Sequence, residues 1–217
     1  MQIQPTPVSA AAIAECALHL RAGRLAIVPT DTVYGVAADA TNDPAVRALY
    51  AAKGKGEQAP LQLLFAPDIA LTPFARPSRD GSRLMEALGP GGWTIIVPAA
   101  ESWDSPALAG GRTVGIRMPA CEPLSRVIHE LRRPLAASSA NRHGQPSPRS
   151  CAEAVSEIGP VCAIALDAGP TAAGLDSTVI DCASQPARIL REGAIDRHTI
   201  ARILGLSDIT VLRSVRP

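Results

Sequence analysis

Short apolar runs alternate along the chain with segments in which apolar residues recur at helical spacing. After Ser9, a residue type that caps helices, this spacing continues to residue 21 and predicts a helix that Gly23 ends. The pair Asp43-Pro44 predicts the start of another helix, with the aspartate as its cap. Further helices are predicted at residues 82–88, 123–131, 151–158 and 196–204. Strands are predicted at residues 25–28, 34–38, 61–65, 93–97, 113–117, 135–138, 162–166, 178–181 and 188–190.

The order of these elements indicates the fold class. Predicted strands and helices intermingle rather than forming separate blocks, which favours an α/β or α+β fold with a mixed sheet. A chain of 217 residues fits one domain and is large enough to bury a sizeable core.

Composition excludes several classes of function. A net charge of +1 with 19% charged residues argues against an extended nucleic-acid surface, which is usually strongly basic. The five cysteines are scattered and the four histidines are isolated, so we expect reduced cysteines and no metal site built from these residues. No apolar run approaches the roughly 20 residues of a membrane span, and the first residues show no signal-peptide pattern. We therefore expect a soluble cytoplasmic protein that does not bind membranes.

Lys53 and Lys55 are the two lysines among the 21 lysines and arginines, and they flank Gly54. Two compact ammonium groups beside a flexible glycine suit the binding of an anion such as a triphosphate. Positive charge at the end of a helix is an equally simple explanation. The pattern alone leaves both interpretations open.

Polar loops adjoin several predicted strands, and loops on a rigid sheet often contain binding residues. Their hydroxyl groups suit phosphate oxygens, but they also stabilise ordinary turns. Arg117 and Arg191 end two strand patterns, either as anion donors or as salt-bridge partners. The loop residues are Thr30, Asp31, Thr32 and Tyr34, then Ser138, Ser139, Asn141 and Ser147, and finally Asp176, Ser177 and Thr178.

Common catalytic motifs are absent from the sequence. It contains no P-loop, no dinucleotide fingerprint after a strand and no nucleophile elbow. The predicted site therefore consists of hydrogen-bond donors and hydroxyl groups with few titrating groups. Such a site suits nucleotide binding and catalysis by orientation and charge stabilisation.

Six short segments are spread over residues 29–193, a span that takes in most of the chain. They are PTDTVYG at 29–35, AAKGK at 51–55, TVGIRMP at 113–119, SAN at 139–141 with PSP at 146–148, DSTV at 176–179, and ILREG at 189–193. In this order and spacing they resemble the YrdC family of threonylcarbamoyl-adenylate synthases. The resemblance implies a twisted mixed sheet flanked by helices around a concave basic cleft. It also implies a catalytic domain at residues 1–205 and a C-terminal tail at residues 206–217.

The resemblance implies an enzyme that condenses L-threonine, bicarbonate and ATP into threonylcarbamoyl-adenylate and releases pyrophosphate. Mg²⁺ would accompany ATP, because two anions must be brought together. The product would serve the threonylcarbamoyl modification of adenosine in tRNA. Transfer RNA and the downstream threonylcarbamoyl-transfer proteins are therefore candidate partners.

The same resemblance implies roles for individual residues, with Arg117 pairing the threonine carboxylate. The residues expected to bind threonine are Thr32, Arg117, Ala137 and Ser177. The residues expected to bind ATP are Lys55, Thr113, Ser139, Ser147 and Arg191. The residues expected to steady the triphosphate during catalysis are Lys53, Lys55, Ser139 and Asn141.

Three positions depart from the family pattern. Lys55 stands where arginine is usual, Ala59 where asparagine often contacts the nucleotide, and Leu64 where histidine often lies near threonine. We expect activity to be retained, with altered details of nucleotide and threonine recognition. Two alternatives stay open, a non-catalytic module that binds double-stranded RNA or tRNA and a related transferase that uses carbamoyl phosphate.

Overall fold

The computed structural model describes residues 3–54, 59–171 and 174–212. Within these residues, ten strands form one mixed sheet that six α-helices flank, which confirms the predicted fold class. The strands are β1 (Pro5–Pro7), β2 (Leu25–Val28), β3 (Gly35–Asp39), β4 (Gln62–Leu64), β5 (Trp93–Pro98), β6 (Thr113–Arg117), β7 (Leu135–Ser139), β8 (Cys162–Asp167), β9 (Thr178–Asp181) and β10 (Arg188–Arg191). The helices are α1 (Ala10–Arg21), α2 (Asp43–Ala52), α3 (Arg79–Leu88), α4 (Glu122–Leu131), α5 (Cys151–Ile158) and α6 (Arg197–Leu204).

The strands lie in the order β1-β8-β2-β3-β7-β4-β6-β5-β9-β10. Strand β4 runs parallel to β6 on one side and antiparallel to β7 on the other. Its first residue, Gln62, pairs with Gly115 on β6 and with Ala137 on β7. This register places three residues from distant parts of the sequence side by side on one face of the sheet.

The helices divide between the two faces of the sheet. Helices α1 and α4 pack their apolar residues against β2, β3, β7 and β8 on one face. Helices α2, α3, α5 and α6 bury a larger core, which includes the side chain of Trp93, on the opposite face. In the described segments, no helix combines the length and apolar character needed to cross a membrane.

Side-chain caps explain where several helices begin. The Ser9 hydroxyl accepts a hydrogen bond from the Ala12 amide at the start of α1, as predicted. At α2 the cap is Asn42, whose side chain accepts from the Ala45 amide, so the prediction that Asp43 is the cap was wrong. Asp43 is instead the first helical residue, where its negative charge favours the positive end of the helix dipole.

Part of the expected C-terminal tail packs against the sheet. The Ile189 amide on β10 donates to the carbonyl of Thr210, and the Leu212 amide donates to the carbonyl of Ile189, each at 2.8 Å. Ile209 is buried in the larger core. Residues 206–212 therefore support β10 at Ile189, which precedes Arg191 by two residues.

Candidate functional site

A cavity of about 360 Å³ lies on the sheet face that α1 and α4 share, over the part of the sheet that these two helices leave uncovered. Its floor consists of side chains from β4, β5, β6, β7, β9 and β10. The loop after β2 and the loop after β7 form its walls. Eight residues predicted from the sequence line this cavity: Thr32, Thr113, Arg117, Ala137, Ser139, Ser147, Ser177 and Arg191.

Arg117, at the end of β6, is almost completely buried and fixed in orientation. Its Nη2 atom donates to Asp31 Oδ1 and to Thr32 Oγ1, each at 2.7 Å, and its Nε atom donates to the Gly91 carbonyl at 3.4 Å. Nη1 makes no hydrogen bond with any described residue. The guanidinium thus presents one unused donor group in a preset direction.

Burial determines the electrostatics of this arginine. It lowers the pKa of Arg117 from its ordinary value, and the Asp31 carboxylate acts in the opposite direction. Because an arginine starts from a pKa far above neutrality, Arg117 stays charged. Charge-assisted hydrogen bonds to a desolvated guanidinium are stronger than those to a surface arginine, because the surrounding medium screens them less.

Thr32 contributes to the site through Arg117. The Thr30 hydroxyl donates to the Val33 carbonyl at 2.7 Å, accepts from the amides of Thr32 and Val33, and lies 3.0 Å from Thr32 Oγ1. Thr32 Oγ1 then accepts from Arg117. In this arrangement the Thr32 hydroxyl oxygen orients the guanidinium group of Arg117.

Arg191, at the end of β10, fixes the opposite side of the cavity. Its Nη2 atom donates to the Ser177 carbonyl at 3.0 Å and to Ser177 Oγ at 3.3 Å. Asp176 accepts from Arg191 at 3.5 Å and from the Ser147 hydroxyl at 3.2 Å. The two guanidinium groups of the cavity therefore belong to separate networks.

Of the four residues expected to steady the triphosphate, the structure describes three, namely Lys53, Ser139 and Asn141. Lys53, the residue after α2, donates from Nζ to the Ser139 carbonyl at 2.6 Å and approaches Ser139 Oγ at 3.4 Å. This contact ties the end of α2 to the end of β7 and sets a positive charge beside the cavity. Lys55 lies outside the described residues.

Asn141 lies just beyond β7 and is buried. Its Nδ2 atom donates to the carbonyls of Arg142 and Gln145 at 2.9 and 2.7 Å. Its Oδ1 atom is buried without a hydrogen-bond partner in the part of the chain that the structure describes. An unpaired buried acceptor is costly, so this oxygen is a candidate contact for a ligand.

Two of the departures from the family pattern lie away from the cavity lining. Leu64 is buried in the core beneath α1 and α4. Ala59 is exposed, and its carbonyl accepts a hydrogen bond from Tyr50. Neither side chain replaces a polar contact inside the cavity.

Sequence reasoning missed two residues of the cavity floor, Gln62 and Thr94. The Thr94 hydroxyl donates to Gln62 Oε1 at 2.9 Å and contacts Ser177 Oγ at the same distance. A signal was present, because each is a polar residue inside an otherwise apolar strand segment. Polar side chains on buried strands need partners, and they often mark a site.

The described residues offer oxygen ligands for a metal ion but form no cluster of ligands by themselves. Among the described residues, no group of three or more His, Cys, Asp or Glu side chains could hold an ion. The Asp176 carboxylate in the cavity and Asn141 Oδ1 are oxygen ligands of the kind that Mg²⁺ takes. Since Mg²⁺ commonly combines one or two protein ligands with substrate phosphates, the residues fit a metal that is delivered on a nucleotide.

A family model described as telomere recombination, that of the Sua5/YciO/YrdC domain, matches residues 19–193. The chain belongs to the Sua5/YciO/YrdC family. A protein of Mycobacterium tuberculosis is 37% identical over 190 residues, which cover 86% of each chain. The threonylcarbamoyl-AMP synthase of Bacillus subtilis is 36% identical over 195 residues, which cover 89% of this chain and 56% of that protein.

The structural comparison agrees with the family assignment. A crystal structure of Pyrococcus abyssi Sua5 complexed with L-threonine superposes with a TM-score of 0.91 at 31% identity. The match covers 98% of this chain and 63% of the P. abyssi chain. The chain therefore spans less than two thirds of the length of the Sua5 and Bacillus proteins.

Proposed function

We propose that this protein is a threonylcarbamoyl-AMP synthase, which makes threonylcarbamoyl-adenylate and pyrophosphate from L-threonine, bicarbonate and ATP. The observation that supports this most strongly is the buried Arg117, which lines the same cavity as Arg191 and several hydroxyl groups and whose Nη1 atom has no hydrogen-bond partner among the described residues. Such a cavity suits one small carboxylate and one phosphorylated ligand. Curated relatives with the same family domain are named threonylcarbamoyl-AMP synthases.

In this proposal Arg117 pairs with the threonine carboxylate through Nη1, while Asp31, Thr32 and Gly91 keep its fork in place. The P. abyssi relative binds L-threonine, which supports threonine as the amino acid. Ala137 and Ser177 also line the cavity and would contact the rest of the amino acid.

ATP would occupy the side of the cavity near Arg191. Ser139, Ser147 and Thr113 supply hydroxyl groups for the nucleotide, and Lys53 supplies positive charge beside Ser139. Mg²⁺ bound to the triphosphate would neutralise part of its charge during transfer.

The reaction requires two anionic groups to meet. The threonine amine combines with bicarbonate to give a carbamate and water, and a carbamate oxygen then attacks the α-phosphorus of ATP as pyrophosphate leaves. Repulsion between carbamate and triphosphate opposes this approach. The residues of the cavity reduce the barrier by holding each anion on its own set of donors and by excluding bulk water.

The experiment that tests this function is mass spectrometry for threonylcarbamoyl-adenylate, combined with a pyrophosphate-release assay. The protein is incubated with Mg-ATP, threonine and bicarbonate, and each component is omitted in turn. Product that requires all three is the expected result. Pyrophosphate release that needs carbamoyl phosphate but not threonine would instead assign the related transferase activity.

We further propose that the product serves threonylcarbamoyl modification of tRNA, with tRNA and the transfer proteins acting downstream. The rival RNA-binding hypothesis gains no support from the relatives, which are named as synthases. It predicts tRNA retention at about 0.2 M salt without turnover. A filter-binding measurement at that salt concentration, beside the product assay, separates the two.

A further inference from the structure

Gln62 lies on the cavity floor between two residues with little or no side chain. Its strand neighbours are Gly115 on β6 and Ala137 on β7. A side chain at position 115 would approach Thr94 Cγ2 at 3.0 Å and Gln62 Cβ at 3.6 Å, so glycine keeps this part of the floor open. The carboxamide of Gln62 can therefore be reached by a ligand in the cavity.

A directional hydrogen-bond network fixes this carboxamide. The floor network consists of Arg191, Ser177, Thr94 and Gln62. The Thr94 proton goes to Gln62 Oε1, so across the 2.9 Å contact the Ser177 hydroxyl must donate to Thr94 Oγ1. Ser177 Oγ in turn accepts from Arg191 Nη2 at 3.3 Å.

The direction of the hydrogen bonds in the floor network determines which atom of Gln62 remains available for a ligand. With Oε1 engaged by Thr94, Gln62 Nε2 makes no hydrogen bond with any residue in the described segments 3–54, 59–171 and 174–212. Hydrogen bonds that point the same way polarise one another. The network therefore ends, on the cavity side, in a neutral N–H donor of fixed orientation.

The spacing relates this donor to Arg117. Gln62 pairs with Gly115, and Arg117 follows two residues later on β6. With a rise of about 3.3 Å per residue and about 4.8 Å between strands, the Cα atoms of Gln62 and Arg117 are about 8 Å apart. An amino acid whose carboxylate meets Arg117 can therefore place its short side chain toward Gln62.

We propose that Gln62 determines specificity for the amino acid, by donating from Nε2 to the side-chain hydroxyl oxygen of the substrate threonine. This inference rests on the proposed function. A neutral carboxamide matches a neutral hydroxyl, whereas the carboxylate and the phosphates have the two arginines as partners. A substrate without the hydroxyl would close off Gln62 Nε2 from water without giving it a partner, and sites of this kind reject analogues that lack the bonding group.

Two substitutions separate the donor from the rest of the side chain. Gln62→Glu keeps an acceptor for Thr94 but, once ionised, cannot donate to a substrate. Gln62→Leu removes both functions at similar size. The matched control is Gln4→Glu, the same change at an exposed position outside the cavity lining.

The measurement compares L-threonine with L-2-aminobutyrate, which lacks the hydroxyl group, in both product formation and calorimetric binding. We expect Gln62→Glu and Gln62→Leu to weaken threonine binding by about 10- to 100-fold and to reduce the preference for threonine by a similar factor. The KM for ATP and the affinity for 2-aminobutyrate should change little. Gln4→Glu should match the unsubstituted protein.

Three outcomes would overturn the proposal. An unchanged preference in Gln62→Glu would exclude the donor role, and an unchanged preference in Gln62→Leu would remove Gln62 from side-chain recognition. Loss of turnover with both amino acids at unchanged preference would assign Gln62 to the reacting groups instead. Failure of the unsubstituted protein to form product would reject the proposed function, while the binding comparison would still test Gln62.

Discussion

Arg117 has its orientation set by the protein before any substrate arrives. Asp31, Thr32 and the Gly91 carbonyl occupy Nη2 and Nε, which leaves Nη1 as the nitrogen without a hydrogen-bond partner among the residues that the structure describes. A carboxylate would then be bound end-on by one nitrogen rather than by the full fork. Preset geometry reduces the entropy lost on binding, because the side chain is already immobile.

Replacing Arg117 tests this interpretation. Arg117→Ala should weaken threonine binding by about 2 to 4 kcal/mol, because a buried charge-assisted pair is lost, and should change ATP binding much less. Arg117→Lys should not restore binding, since one ammonium group cannot replace the planar fork that contacts Asp31 and Thr32. Calorimetric titration with each ligand gives the measurement.

The control for this charge change is Arg126→Ala, which removes an exposed arginine that pairs with Glu122 on α4. It should leave both affinities unchanged, because exposed pairs contribute little. Equal loss of threonine and ATP binding in Arg117→Ala would contradict a role confined to the carboxylate.

At the scale of single elements, the end of β10 lies tightly against the loop before β9. A side chain at Gly193 would collide with the backbone of Asp176 and Ser177. Arg191, two residues earlier, makes its contacts to the same two residues. The glycine therefore allows the approach that holds Arg191 at the cavity.

Gly193→Ala should destabilise the protein by about 1 to 3 kcal/mol, since an added methyl group must displace backbone. It should also weaken ATP binding by moving Arg191, while threonine binding at Arg117 is largely kept. Urea unfolding and separate ligand titrations measure the two effects. Unchanged stability together with unchanged ATP affinity would show that the loop yields without moving Arg191.

Most elements could be predicted from local pattern, and the exceptions have physical reasons. Strand β1 (Pro5–Pro7) was missed, because two prolines and a threonine carry no strand pattern, yet proline is tolerated on an edge strand such as this one beside β8. Asn42 was missed as a cap because Asp43 is an equally good cap by residue type.

The candidate site, like the fold, was predicted from the sequence only in part. Motif resemblance identified eight of the residues that line the cavity, including Arg117 and Arg191. It could not show that Thr32 turns its hydroxyl to Arg117, or that Gln62 pairs with Thr94. Those contacts depend on strand order and register across residues far apart in sequence, which local patterns do not determine.

At the scale of the whole molecule, all five cysteines are free thiols, as expected. Burial raises the pKa of four of them from 9.0 to about 12. The folded protein therefore keeps these protons at a pH where the unfolded chain begins to release them. The four residues are Cys16, Cys151, Cys162 and Cys182.

Stability should consequently fall as the pH rises. Below about pH 9 these thiols are protonated in both states, so their contribution is fully present, and it is lost progressively toward pH 12. Urea unfolding at pH 8, 9, 10 and 11 should show a falling free energy of unfolding. Cys16→Ala should have a shallower slope, and an unchanged slope would assign the effect to other groups.

The cavity also couples ligand binding to the stability of the whole sheet. Its walls and floor come from segments between Thr32 and Arg191, so unfolding any large part of the sheet destroys the site. A ligand that binds only the folded protein at about 100 times its Kd adds about 2.7 kcal/mol of stability. For a chain of this size we expect a rise in Tm of about 5 to 10 °C.

Thermal unfolding with threonine, with Mg-ATP and with both should reveal which residues serve which ligand. Arg117→Ala should abolish the shift caused by threonine and keep the shift caused by Mg-ATP, because the two arginines belong to separate networks. Arg191→Ala should abolish the shift caused by Mg-ATP and keep most of the shift caused by threonine. If the floor network supports threonine binding through Ser177, the threonine shift should also be slightly smaller in this variant. Loss of both shifts in both variants would mean that the two ligands share one set of contacts. The division of the cavity into a carboxylate side and a nucleotide side would then be wrong.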